Sequence, residues 1–187
     1  MSQRPRTTLD SDEKQDLIKD HFKPFTDLIA FPPKRRVERE KWVPRGRSLH
    51  LIDIENLMGG PFEGTAALKA ALSTYLRAVG PGELDLYLIA CNPALAFTAK
   101  VALPGAQLLM RGGPNGADFA LIDWASDVLW LAARHDRIVI GSGDGIFETV
   151  AYAYRALGLE VDVVAREGSI SRHLATSSTR VTQIANP

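Results

Sequence analysis

The chain has 187 residues, 45% of them apolar and 24% charged, which suits one globular domain and excludes a disordered or fibrous chain. The one cysteine, Cys91, excludes an internal disulfide and a thiolate zinc site, and no apolar run reaches the roughly 18 residues that span a bilayer. Residues 1–47 hold 12 Lys+Arg against 8 Asp+Glu and the remainder 10 against 14, so a basic arm precedes a mildly acidic body.

In chain order, Asp10 to Phe25 carries a short apolar stripe at Leu17, Ile18, His21 and Phe22 and predicts a helix. "FPPKRRVEREKWVPRGR" then reads as an extended, exposed connection. Phe25, Leu28, Ile29, Phe31 and Trp42 are too apolar for a pure tail, so the arm is expected to pack on the domain or on a partner. Its charge suits a nucleic-acid contact or a solvated tail. The N-terminus is polar and has no signal-peptide core, and the expectation is a soluble, cytoplasmic protein.

From Ser48 the pattern alternates. "SLHLIDI" predicts a strand, "GTAALKAALSTYLRAV" a helix, "ELDLYLIAC" a strand, "PALAFTAKVAL" a short helix and "GAQLLMRG" a short strand. "GADFALIDWASDVLWLAARH" predicts one long apolar helix, "DRIVIGSGD" a strand, and "GIFETVAYAYRALG" a helix closed by Gly158. "LEVDVVAR" is a strand, "SISRHLATS" opens a last short helix at Ser169 or Ser171, and "RVTQIA" ends the pattern. Alternation of this kind predicts βαβ units: an α/β fold with a mainly parallel sheet and helices on both faces.

Two strands end on acids, Asp53 with Glu55 and Asn56 after one, and Asp144 after Ser142 and Gly143 at the other. Ligands of open parallel sheets bind beyond the carboxyl ends of the strands, and neighbouring strands would bring these two carboxylates together. Clustered carboxylates repel unless a cation intervenes, and an all-oxygen set points to Mg²⁺ or Mn²⁺ rather than zinc. The rival reading is that each Asp only caps a turn; it is weaker for Asp53, since Leu57 to Pro61 does not look like a helix start.

A third acidic place opens the long helix at Asp118, with Asp123 roughly 140° round and Asp127 roughly 180°. Asp118 joins the site if it sits at the helix entrance, which Gly112, Gly113 and Gly116 permit. Asp123, a polar residue in an apolar stretch, joins it about one turn in, and Asp127 reads as a solvated face residue. "GSGDG" lacks the G-x-G-x-x-G spacing and a lysine, and Asp162 only loosely matches the acid of a dinucleotide site. His21, His50, His135 and His173 assemble into nothing, and Cys91 reads as a small buried hydrophobe. Trp124 and Trp130 read as core or dimer contacts rather than a base-stacking platform.

"LIDIENL" resembles the first motif of NYN domains, a branch of the PIN-like nuclease superfamily: an apolar strand, then Asp-x-x-Asn at Asp53 and Asn56. "GADFALIDWASDVL" resembles the family's Gly-x-Asp helix motif with a second Asp five residues on, and "IVIGSGDGIFETVAYAYRALGLEVDVVA" its Ser-Gly-Asp-x-Asp-Phe motif. "SISRHLATSSTRVTQI" is similar to its closing segment. The resemblance runs over about 48–185 and implies a NYN (PIN-like) domain at 48–187 behind a partly helical arm at 1–47.

The resemblance implies a three-layer Rossmann-like fold and metal-dependent RNA cleavage with Mg²⁺ or Mn²⁺. Asp53, Asp118 and Asp144 would hold metal, Asp123 would support them, Asn56 would orient Asp53 or a phosphate oxygen, and Ser142 would shape the loop. The family's second acid after Asp144 is replaced by Ile146, and Glu148, roughly 40° round a helix from Asp144, is the candidate substitute. Substrate, best a single-stranded RNA, would be held by Arg111 and Arg172 or by Lys34, Arg35 and Arg36 of the arm, which is also the candidate contact for a second copy or a protein partner. The alternative is a catalytically weakened NYN-fold module that binds RNA or protein; a phosphatase or nucleotide hydrolase on the same edge ranks last, for want of a nucleophile motif.

Overall fold

Strands form where the apolar runs lie: β1 (Ser48–Asp53), β2 (Leu86–Cys91), β3 (Gln107–Met110), β4 (Arg137–Gly141), β5 (Glu160–Arg166) and β6 (Arg180–Ile184). This computed structural model describes residues 11–30, 38, 46–60 and 64–186, with only the backbone of 11–15, 17 and 18. Most of the Pro- and Arg-rich connection, 31–37 and 39–45 with Phe31, Lys34, Arg35, Arg36 and Trp42, and the Leu17 and Ile18 side chains lie outside the described residues.

The six strands make one sheet in the order β3-β2-β1-β4-β5-β6, and every pairing is parallel. β1 sits between β2 and β4 and is buried at all six residues, so both its faces meet core, as a central parallel strand requires. The order of connection reverses between β1 and β4, which makes that boundary the switch point where ligands of such sheets bind.

One face of the sheet, with Leu49, Leu51, Ile138 and Ile140, packs under α1 (Ser11–Ala30), α5 (Gly116–Trp124), α6 (Val128–Ala132), α7 (Glu148–Ala156) and α8 (Arg172–Ser177). The other, with Ile52, Ile89 and Val139, packs under α2 (Ile54–Met58), α3 (Gly64–Val79) and α4 (Ala96–Ala102). The architecture is a three-layer, Rossmann-like α/β fold. No helix among the described residues is long and apolar enough to cross a membrane.

Helix α1 runs to Ala30, past the expected end at Phe25 and through Pro24. The proline removes a backbone donor, but Phe25 is fully buried and Leu28 nearly so, and this packing outweighs the lost bond. The single long helix expected over residues 116–135 is instead two, broken at Ala125–Asp127. Asp127 is exposed, as expected, and its side chain also caps α6 by accepting the Trp130 N–H at 3.3 Å. The Ala125 carbonyl freed at the break accepts the buried Tyr154 hydroxyl at 2.7 Å. Helix α7 ends as expected at Gly158, in the left-handed region with φ 91°. The Gly158 N–H bonds Arg155 O and the Leu159 N–H bonds Tyr154 O, the paired pattern of a glycine C-terminus.

His50 is fully buried in β1, with Nδ1 2.9 Å from the Tyr75 hydroxyl and Nε2 3.1 Å from Asp85 Oδ2. Burial outweighs the Asp85 charge and pushes its pKa down to about 4. Asp162 is buried under Arg137, whose Nε donates to it at 2.7 Å, and so is spent inside the sheet rather than facing a ribose. Cys91 is fully buried, and burial pushes its thiol up to about 11.

Candidate active site

Asp53 ends β1 and starts α2. Its Oδ1 accepts the Asn56 N–H at 3.2 Å, so it does cap a helix, one too short to be visible in Leu57 to Pro61. Helix α2 then stops at Gly59, whose φ of 92° suits only glycine and whose missing Cβ leaves room for the Arg166 guanidinium.

The register Ile52↔Gly141 places Ser142 beside Asp53. The fully buried Ser142 donates its hydroxyl to Asp53 Oδ2 at 3.4 Å and accepts the Asp144 N–H at 3.2 Å. Asn56 Oδ1 accepts the Gly143 N–H at 2.9 Å. Two side chains thus bolt the tips of β1 and β4 together. Asp144 is exposed and caps the next turn by accepting the Ile146 N–H at 3.0 Å.

Asp118 comes from the entrance of α5. The chain reaches it through Gly113 at φ 95° and Asn115 at φ 53°, and Gly116 passes so close to Arg111 O that a Cβ there would lie 2.6 Å from it. Asp53 and Asp118 are both buried, at 6% and 7% exposure, and in mutual contact. Burial raises both carboxyls. The Asn56 N–H and the hydrogen bond from Asp118 limit the rise at Asp53, whereas the charges of Asp53 and then Asp144 add to it at Asp118, up to about 8. Asp118 Oδ1 is buried with no hydrogen-bond partner. A proton shared between the two acids relieves their repulsion, and so would a cation.

These acids floor a cleft of about 360 Å³, walled by Glu55, Asn56, Asn92 and Asn115 and rimmed by Arg111 and Arg166. Glu55 is tied down, since its Oε1 accepts the Asn92 N–H at 2.8 Å. No motif in the sequence singles out Arg166. It ends β5, donates Nε to Asn56 O at 2.9 Å and Nη1 to Asn186 Oδ1 at 2.9 Å. Its position at the carboxyl end of a strand was the available signal.

The remaining candidates lie elsewhere. Asp123 is not a buried support: it is half-exposed and pairs with Arg111 Nη1 at 2.9 Å and His21 Nε2 at 3.1 Å, tying α5 to α1. Glu148 does not lie on one helix with Asp144, because a 3₁₀ turn at Gly145–Phe147 separates them; its Oε2 is 3.7 Å from His173 Nδ1. Ile146 is half-buried against the core. Arg172 is exposed at the start of α8, outside the cleft lining. Among the described residues, no group of three or more His, Cys, Asp or Glu side chains is arranged to hold a metal.

Residues 97–185 match the family model of the NYN domain. A crystal structure of a protein of unknown function from Vibrio parahaemolyticus has the same fold, with a TM-score of 0.54 at 15% identity, over 75% of this chain and 93% of that one. No curated protein is detectably similar to the chain. The sheet order and the family match agree: over residues 97–185 the chain is similar to the NYN domain, on a three-layer α/β fold.

Proposed function

We propose that the chain is a metal-dependent ribonuclease that cleaves RNA phosphodiester bonds at the Asp53–Asp118 cleft. NYN domains have a PIN-like nuclease-type fold and are generally RNA-binding nucleases that use divalent metals. The observation that carries the reading is the buried Asp118 Oδ1, which lacks a hydrogen-bond partner beside a second buried carboxylate, under two arginines.

That donor set fits a small hard cation. Mg²⁺ is commonly held by only one or two carboxylates, with waters and substrate phosphate completing its shell. Asp53 and Asp118 would hold it, with Asp144 alongside and Glu148 and Asp123 outside the cleft. When bound, such an ion neutralises phosphate charge and acidifies a bound water.

The chain's own groups do the rest. Ser142 and the Asn56 N–H fix the Asp53 carboxylate in one rotamer. Arg166 and Arg111 line the rim where the phosphate oxygens of a single-stranded RNA would lie, and a guanidinium is suited to them. Buried, reduced Cys91 suits a cytoplasmic setting.

The test is cleavage of a labelled single-stranded RNA pool with Mn²⁺, Mg²⁺ or EDTA. Metal-dependent cleavage that falls on the order of 100-fold or more in Asp53→Asn and Asp118→Asn is expected. A folded wild type that binds RNA equally with and without metal, and never cuts it, would support the second reading. That reading is a binding module, favoured by Ile146, a half-buried core residue where the family carries an acid.

A further inference from the structure

A second groove, about 510 Å³ in volume, adjoins the acid cleft on the flank of β3 and α5. Leu108, Leu109, Met110, Ala120 and Trp124 supply its apolar lining. Two features make it unlike a stray surface hollow. Arg111 lines both it and the cleft, so the two are continuous across one guanidinium. Among the described residues its one acid, Asp123, is neutralised by the Arg111 guanidinium at 2.9 Å, so the groove does not repel a polyanion as the acids of the cleft do.

We infer that this groove takes an unpaired nucleobase of the RNA strand whose phosphate lies in the cleft. The inference rests on the cleft being an RNA site and names the part that reads the base. Met110 is 60% exposed and Trp124 half-buried, which gives a polarizable wall and a rigid aromatic floor. Stacking on such a surface favours single strands, because a duplex keeps its bases inside.

Arg111 links the two subsites. Its bonds to Asp123 and His21 both use Nη1, at 2.9 and 3.2 Å, which leaves Nη2 for a phosphate oxygen. Beyond the groove, β3 pairs only with β2 among the described residues, so the backbone groups on its outer edge face the same space.

The test measures equilibrium binding of a fluorescent single-stranded RNA octamer to the full chain. It is done in EDTA and again in Ca²⁺, beside a parallel cleavage assay in Mn²⁺. Trp124→Leu and Met110→Ala are each expected to weaken binding at least about fivefold, the effect of losing a stacked base. Octamers with an abasic site walked along them should lose as much at one position with wild type, and lose nothing further there with Trp124→Leu. Met110→Ala, a surface change, keeps the test valid if Trp124→Leu melts early. Unchanged affinity in Met110→Ala and in a folded Trp124→Leu overturns the subsite while cleavage in Mn²⁺ leaves the nuclease standing. Loss of octamer binding and cleavage in the wild type overturns both.

Discussion

Asn56 Oδ1 receives the Gly143 N–H at 2.9 Å, so the side chain after one strand holds the backbone after its neighbour. Gly143 is buried, and Asn56→Ala leaves that N–H without its acceptor. The expected cost is about 1–3 kcal/mol in urea denaturation, the penalty for an unsatisfied buried donor. RNA cleavage should fall with it, since the tips of β1 and β4, which carry Asp53 and lead to Asp144, lose one of their two side-chain ties. Unchanged stability would show that Gly143 finds another acceptor.

Gly143 itself tolerates no side chain. A Cβ there would fall inside contact distance of the Ser169 carbonyl, which belongs to the loop after β5. Gly143→Ala should destabilise by about 1–3 kcal/mol through overpacking. Gly60, also at the cleft, has nothing within 4 Å of its would-be Cβ, and Gly60→Ala should leave the melting temperature in place. A pair of thermal melts separates the two.

Asp118 gives a signed pH dependence. Its folded pKa is raised from 3.8 to about 8, so its stabilising contribution is complete below 3.8 and is lost as pH rises through 8. Wild type should therefore lose stability relative to Asp118→Asn between those limits. Above pH 7, Mn²⁺ should raise the melting temperature of wild type and not of Asp118→Asn. Equal metal shifts in both proteins would remove Asp118 from the metal site.

His50 titrates in the opposite sense. Its folded pKa is lowered from 6.5 to about 4, so the unfolded chain takes the proton first and stability is lost as pH falls across that window. The loss should be on the order of 2–3 kcal/mol in wild type and absent in His50→Gln, read from urea midpoints at pH 7 and pH 4.5. A parallel fall in the two proteins would put the acid sensitivity elsewhere.

Asp53 was legible because a buried run that ends on an acid has few structural explanations, but the acid it meets is Asp118 at a helix entrance, while Asp144 at the other strand tip is exposed and caps a turn. The break between α5 and α6 was not, because Ser126 and Asp127 sit in a sequence that is apolar on both sides. Their own hydrogen bonds, which tip the choice, have no periodic signature. Asp123 misled for a related reason: apolar neighbours along the chain say nothing of Arg111 and His21, which reach it through space. Arg166 was hidden because its value depends on which strands lie side by side.

The place of β1 in the sheet governs when the cleft exists. β1 pairs with β4, whose Arg137 lies opposite Ser48, so its second edge stays open until the later half of the chain has been made. Closing so distant a contact is the slow part of forming a parallel sheet. During synthesis Asp53 therefore waits at an unpaired edge, with Ser142 and Asp144 not yet made. A nascent chain carries its acids apart, and they converge only when the sheet closes.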